Sequence, residues 1–413
     1  MNLTSPFQSM KRGFFKTNNW NLYSTLKTQH PTLTKMINYS QVPNPAYVVD
    51  EALLRSNLAL IKSVKDQAGI DIIVAFKGFS MWGTFPIVRE YVHGATASSL
   101  WEARLCFEEM KTLAHTYSPA YVDEEFDELM EYSSYITFNS LTQLNHFLPK
   151  INNFKRKISV GIRVNPEFSD VETDLYNPCA PGSRLGTTAD KIGATLPEGV
   201  EGLHFHTLCE SSSFDLENTL KAFEEKFAHL LPHVKWVNMG GGHLMTKKGY
   251  DTAHLVQLLK AFKEKHKVEV ILEPGSAFAW QTGDLVAKVV DIVENKGITT
   301  LIANISFTGH MPDCLEMPYK PKVVGATDPI PGKPTYRIGG NSCLSGDYMG
   351  DWSFEKEVHI GDLLVFEDMI HYTMVKTTTF NGVNHPSIGI WNDEKGFTLF
   401  KKFGYEDYKG RLS

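Results

Sequence analysis

A regular series of short apolar, β-branched runs, each followed by an amphipathic stretch, begins near residue 70 and limits the fold more than any other feature. The runs cover residues 72–77, 94–98, 114–120, 135–139, 158–165, 202–207, 236–241 and 268–274, eight in all. Between them, residues 82–92, 100–110, 124–132, 141–151, 215–231 and 252–266 read as helices, several with apolar residues at i, i+3, i+4 spacing. Eight strand–helix units joined by right-handed crossovers predict an α/β fold, a (β/α)8 barrel of the TIM type with a packed interior.

The chain has 413 residues, more than the roughly 250 to 300 at which one core stops growing. From Gly283 onward, turn-punctuated runs without intervening helices (285–293, 301–307, 335–338, 362–366, 372–380 and 387–391) predict a second, antiparallel β domain. The strand 46–50 is expected to join that domain from the N-terminal side. The division expected is 36–55 as this joining strand segment, 56–282 as the barrel and 283–413 as the β domain. Residues 1–35, rich in Asn, Thr, Ser and Lys, lack clear periodicity. They are expected to be a poorly ordered extension or a misassigned start, with the ordered chain beginning near Met36.

Composition excludes several classes of function. The 41 Lys+Arg against 47 Asp+Glu give a formal charge of -6. There is no long run of either sign, so no nucleic-acid footprint is visible. The five cysteines, Cys106, Cys179, Cys209, Cys314 and Cys343, have no CxxC spacing, which argues against a zinc site or a disulfide framework and for a reducing compartment. No apolar stretch approaches the ~20 residues of a membrane span, and the first residues lack the apolar core of a secretory signal. No membrane partner and a cytoplasmic location are the expectation.

In a barrel of this type chemistry collects where the carboxyl ends of the strands converge. Lys77, Arg163, Asn165, His204, His206, Gly240–Gly242 and Glu273 all fall at such ends. A lysine is most often a surface group. One that closes an apolar strand is desolvated instead, which lowers its pKa and lets it form a Schiff base with an aldehyde cofactor. The run Gly240-Gly241-Gly242 is either a tight turn or a place where backbone N–H groups approach a phosphate, as are Gly275 and Ser276 after the eighth strand. Glu273, in Glu273-Pro274-Gly275, is either a helix-initiating acid or a carboxylate holding a proton on a pyridine nitrogen. His204 and His206 point to the same side of their strand. They read as a stacking group with a packing partner, or as metal ligands, although no third ligand of suitable spacing accompanies them and no metal is expected. The loop 339–347 carries a thiol, Cys343, and an acid, Asp347, and a partly exposed cysteine there would serve as a proton donor.

Four stretches, 204–210 (HFHTLCE), 273–278 (EPGSAF), 310–319 (HMPDCLEMPY) and 340–347 (GNSCLSGD), resemble the fold-type III pyridoxal-phosphate enzymes, the alanine-racemase and ornithine-decarboxylase-like group. Within it the resemblance is to the carboxynorspermidine (carboxyspermidine) decarboxylases, over nearly the whole chain from Met36. It implies pyridoxal 5'-phosphate as cofactor and Lys77 as the Schiff-base lysine. It also implies His206 stacked on the cofactor, Glu273 at its pyridine nitrogen, and Gly241, Gly242 and Tyr372 around its phosphate, with Gly275 nearby. Such enzymes are head-to-tail homodimers with shared sites, so Cys343 and Asp347 would act in the partner's site, Cys343 protonating Cα after carbon dioxide leaves.

Departures from relatives direct the substrate expectation. Ser276 stands where ornithine and diaminopimelate decarboxylases usually carry Arg, and Leu344 where diaminopimelate decarboxylases carry Glu. A carboxylated polyamine is therefore expected, its amines bound by Glu273, Asp313, Glu316 and Asp347. Other basic amino acids (diaminopimelate, ornithine or lysine) stand as alternatives. Racemisation is disfavoured by Glu273, and a non-catalytic pyridoxal-phosphate carrier has no use for the second domain.

Overall fold

A computed structural model describes residues 37–413, so the expectation for residues 1–35 lies outside the described residues. Eight parallel strands form a closed barrel. The first is split into Asp71–Ile72 and Val74–Ala75, and the others are Ala95–Ala97, Ala114–Tyr117, Ser133–Phe138, Ser159–Arg163, Gly202–His204, Trp236–Asn238 and Glu269–Leu272. Asp71–Ile72 pairs with the eighth strand and Val74–Ala75 with the second. The seam runs between the two halves, where the Ile73 N–H donates to Leu272 O at 3.0 Å. All eight expected runs are present.

The amino end of the barrel interior is filled by an apolar plug of Ile73, Trp236 and Ile271, with Tyr135 against it. The Trp236 ring lies where side chains on its neighbours would have to go. A Cβ on Gly202 would meet the ring at 2.0 Å and one on Gly161 at 2.4 Å. The indole N–H donates to Ser159 Oγ at 2.9 Å, so the one polar atom of the plug is satisfied.

The outer helices follow the expected series, with two departures. The stretch 82–92 contains only a 3₁₀ turn, Trp82–Thr84, and one short helix, Phe85–Val88. The longest helix, Glu51–Ala68, was not anticipated and begins inside the segment expected to be a joining strand. Its signals are nevertheless in the sequence. Asp50 caps it by accepting from the Leu53 N–H at 3.0 Å, the buried stripe is Leu54, Leu58, Ile61, Val64 and Ala68, and Gly69 ends it at φ +64°.

The second domain is a nine-stranded sheet. Ala46–Asp50 lies in it antiparallel to the long strand Gly283–Asn295 and parallel to Ser387–Asn392. Ile298–Ala303 is also parallel to Thr335–Gly339, so the sheet is mixed, mostly antiparallel, rather than purely antiparallel. Tyr348–Phe354 and Gly396–Lys401 were not foreseen as strands. The expected strand 372–380 is instead a loop with a 3₁₀ turn at Met374–Lys376. Its β-branched threonines mimic a strand signal, but Thr377–Thr379 alternate with no apolar face to bury. Among the described residues no helix is long and apolar enough to cross a membrane.

Because the plug has no spare volume, Gly202→Ala should lower stability by about 3 kcal/mol, the upper end of ordinary overpacking. Chemical denaturation of the two proteins checks this, and a loss under roughly 0.5 kcal/mol would show that Trp236 repacks freely.

Candidate active site

The strand ends converge on one cavity of about 730 Å³. Lys77, Arg163, His206, Gly241, Gly242, Glu273 and Gly275 line it from the barrel, the loop residues 174–185 cover one side, and Asp313, Tyr372 and Lys376 reach it from the second domain. Among the described residues no cluster of His, Cys, Asp and Glu is arranged to hold a metal ion.

Lys77 is exposed to the cavity that it helps to line. Burial, and then the guanidinium of Arg163, lower its pKa from the ordinary lysine value, while Glu273 acts in the opposite sense. Its Nζ lies 3.2 Å from His206 Nε2. The direction of that contact follows from the far side of the ring. The backbone N–H of Gly241, which can only donate, is bonded to His206 Nδ1 at 2.7 Å. A neutral imidazole then carries its proton on Nε2 and donates it to an uncharged Lys77 amine. Burial, followed by Lys77 and Arg163, holds His206 well below its usual pKa, in keeping with the neutral ring. Arg163 is buried, stands 4.8 Å over the Tyr117 ring and donates to the His206 carbonyl at 3.0 Å.

Glu273 follows the eighth strand and is buried. Burial raises its pKa, and the hydrogen bonds from Thr96 and Asn238 oppose that shift. Both donors serve Oε1: the Thr96 hydroxyl, and the Asn238 amide at 2.5 Å. Oε2 keeps no partner closer than His204 Nε2 at 3.7 Å, too long for a hydrogen bond. His204 is buried and held neutral by burial and by Arg163, and neither of its ring nitrogens has a hydrogen-bond partner.

The glycine run is set by close contacts. A Cβ on Gly241 would meet the Glu273 carbonyl at 2.5 Å, and one on Gly242, at φ +87°, the Leu208 carbonyl at 2.2 Å. Gly275 and Gly78 approach so closely that a Cβ on either would lie within about 3.0 Å of the other's Cα. Of the three N–H groups expected to be free, two are engaged. Gly240 donates to Asn238 Oδ1 at 2.9 Å and Gly241 to His206.

Of the second-domain acids expected to bind amines, Asp313 borders the cavity of its own chain. Its carboxylate is paired with Lys376 at 2.7 Å, and Glu316, outside the cavity lining, pairs with the same lysine at 2.5 Å. Asp347 is buried and saturated. Its Oδ1 accepts from the Thr308 N–H at 3.0 Å, and its Oδ2 from the Ser342 hydroxyl at 2.6 Å and N–H at 3.2 Å. It therefore shapes its own loop. Cys343 is exposed, with its N–H bonded to Asn381 Oδ1 at 2.8 Å, and neither it nor Asp347 lines the cavity of its own chain. Thr96, Asn238 and the loop 174–185 were not foreseen. The first two look like ordinary strand residues, and only the closed barrel turns them towards Glu273.

These residues fit pyridoxal phosphate. An uncharged amine suits its aldehyde, a buried carboxylate with one free oxygen suits its ring nitrogen, and glycine backbones leave room beside the site where any Cβ would collide. A parallel barrel with a lysine amine at its mouth and a mostly antiparallel sheet domain define a barrel-type pyridoxal-phosphate enzyme. Over residues 46–370 the chain matches the family described as pyridoxal-dependent decarboxylase, C-terminal sheet domain, and it belongs to that family.

It is 47% identical over 374 residues to a carboxyaminopropylagmatine decarboxylase of Synechocystis sp., covering 90% of this chain and 96% of that one. It is 44% identical to a carboxynorspermidine/carboxyspermidine decarboxylase of Campylobacter jejuni over 90% of this chain and 99% of the relative. A crystal structure of carboxynorspermidine decarboxylase complexed with norspermidine, from Campylobacter jejuni, superposes with a TM-score of 0.83 at 43% identity, covering 90% of this chain and all of that one. The protein is thus a pyridoxal-phosphate-dependent decarboxylase.

The donors on Glu273 stabilise its ionised form, so removing one leaves burial less opposed and raises the pKa. Thr96→Val, nearly isosteric, should move the acid limb of the kcat/KM pH profile upward by about one to two pH units, the worth of one hydrogen bond to a charge. An unmoved limb would show that Glu273 does not govern it.

Proposed function

We propose that the protein decarboxylates a carboxylated polyamine, carboxynorspermidine or carboxyspermidine, in polyamine biosynthesis in the cytoplasm. The observation that carries this is the pair of relatives at 44–47% identity along almost their whole lengths, whose names give substrates that are amino acids extended by cationic chains. The Synechocystis relative favours a second reading, a carboxylated chain ending in a guanidino group. Leu344 beside Cys343 supports both over diaminopimelate, since it offers no carboxylate to a second α-ammonium group.

Pyridoxal phosphate, when bound, supplies an electron sink for the pair released as the bond from Cα to the carboxylate breaks. Lys77, uncharged, would be the amine that holds the cofactor's aldehyde. His206 keeps that amine in place through its Nε2 proton and presents a ring whose nitrogens are both committed. Glu273, through the free Oε2, would hold a proton on the cofactor's ring nitrogen, without which the sink would be weak. Gly242, Gly275 and Tyr372 border the place for the phosphate. Cys343 of a second copy gives the proton to Cα, because the thiol of the same chain lies outside its own cavity.

Carbon dioxide release from carboxynorspermidine, carboxyspermidine, carboxyaminopropylagmatine, ornithine, lysine and meso-diaminopimelate by the holoenzyme tests the substrate. Turnover of the first three at well over tenfold higher kcat/KM is expected, and a preference for any of the last three would sink the proposal. Lys77→Ala should leave no cofactor attached after borohydride reduction and mass measurement. Mixing inactive Lys77→Ala with weakly active Cys343→Ala should restore activity above the sum of the two, since mixed dimers hold one intact site. A strictly additive mixture would place Cys343 outside the shared site.

A further inference from the structure

A side cavity of about 330 Å³ adjoins the catalytic one, and the two share Tyr176, Cys209, Glu210 and Met317 in their walls. The carboxylates of the catalytic cavity are mostly committed: Glu273 to Thr96 and Asn238, Asp313 to Lys376. Asp174 stands exposed on the turn Asp174–Tyr176 and borders only the larger cavity. Glu210 borders both, and among the described residues it has no hydrogen-bond or ion-pair partner.

We propose that Glu210 receives the cationic chain of the substrate where the two cavities meet, and so selects amino acids with long polycationic tails. The proposal rests on the substrate reading above and assigns it a specificity-determining residue. Glu210 is exposed too, but it lies where the two cavities meet, and the surrounding protein pushes its carboxyl above the usual range. A carboxylate partly stripped of water and lacking a partner is unfavourable on its own, and an arriving ammonium or guanidinium supplies the missing charge and donors. The backbone there sits at φ +50°, a conformation that favours Gly or Asn over Glu. A side chain retained against that preference fits a binding role rather than a stabilising one. Lys247 and His371 are the cationic groups whose charge it feels, and neither is bonded to it. The ligand recognised is a flexible chain carrying secondary and primary ammonium groups or a terminal guanidinium.

The test uses the holoenzyme and the variants Glu210→Gln and Glu210→Gly, the second of which suits the local backbone at least as well as Glu and guards against misfolding. Norspermidine binding by calorimetry and steady-state kinetics with carboxynorspermidine are the readouts, alongside the cofactor absorbance and Tm. The expected result is a rise of about tenfold or more in both the norspermidine Kd and the carboxynorspermidine KM, with kcat within about twofold. Cofactor absorbance and Tm should stay unchanged, or Tm rise for Glu210→Gly. Equal norspermidine affinity in wild type and both variants overturns this inference alone. So does a fall in kcat, or loss of cofactor, without a change in affinity. A wild-type holoenzyme that binds no norspermidine overturns the inference and the substrate reading together.

Discussion

The seam at Ile73 governs the geometry of the site. One strand is shared by two neighbours, its first half by the eighth strand and its second half by the second, and that sharing closes the sheet. Closure brings Thr96, Asn238 and Glu273, from the second, seventh and eighth strands, into hydrogen-bonding distance in the barrel interior. It also brings Lys77 against His206 across the mouth. An open sheet with the same sequence would carry the same residues with no common focus. The Trp236 plug serves the same end, because it fills the amino side of the barrel and leaves the cavity at the carboxyl side.

Charge in the site is balanced through few groups. Arg163 is a buried cation within the influence of Lys77, His206 and Glu273, and it acts on each in the direction chemistry needs: it lowers the pKa of the lysine and the imidazole and opposes the rise that burial gives the carboxylate. Burial alone would favour a protonated Glu273. The two donors on Oε1 and the neighbouring cations are what resist that, leaving Oε2 for the ring nitrogen.

Much of this was legible in the sequence. Period and composition of the eight runs located every barrel strand, and the strand-end rule selected Lys77, His206, Gly241 and Glu273, all of which line the cavity. What escaped has physical causes. The helix Glu51–Ala68 is hard to see because its Asp cap is also the last residue of a strong strand, so the change of period falls without a turn between. The pairing of Asp313 and Glu316 with Lys376 spans some sixty residues of sequence, so no local spacing reveals it. The saturation of Asp347 depends in part on Thr308, 39 residues away, and no spacing rule connects them. The free state of Glu210 is of the same kind, since only the folded chain shows which acids remain without a cation.

Asp347 ties Ser342 on one side and Thr308 on the other, and Asn381 holds the backbone of Cys343. The thiol is therefore displayed on a loop that is already shaped within a single chain. If, as proposed, two chains complete each other's sites through such loops, they would lose little conformational freedom on meeting. Their association would behave as the docking of rigid bodies rather than as coupled folding, fast to form and governed by surface fit.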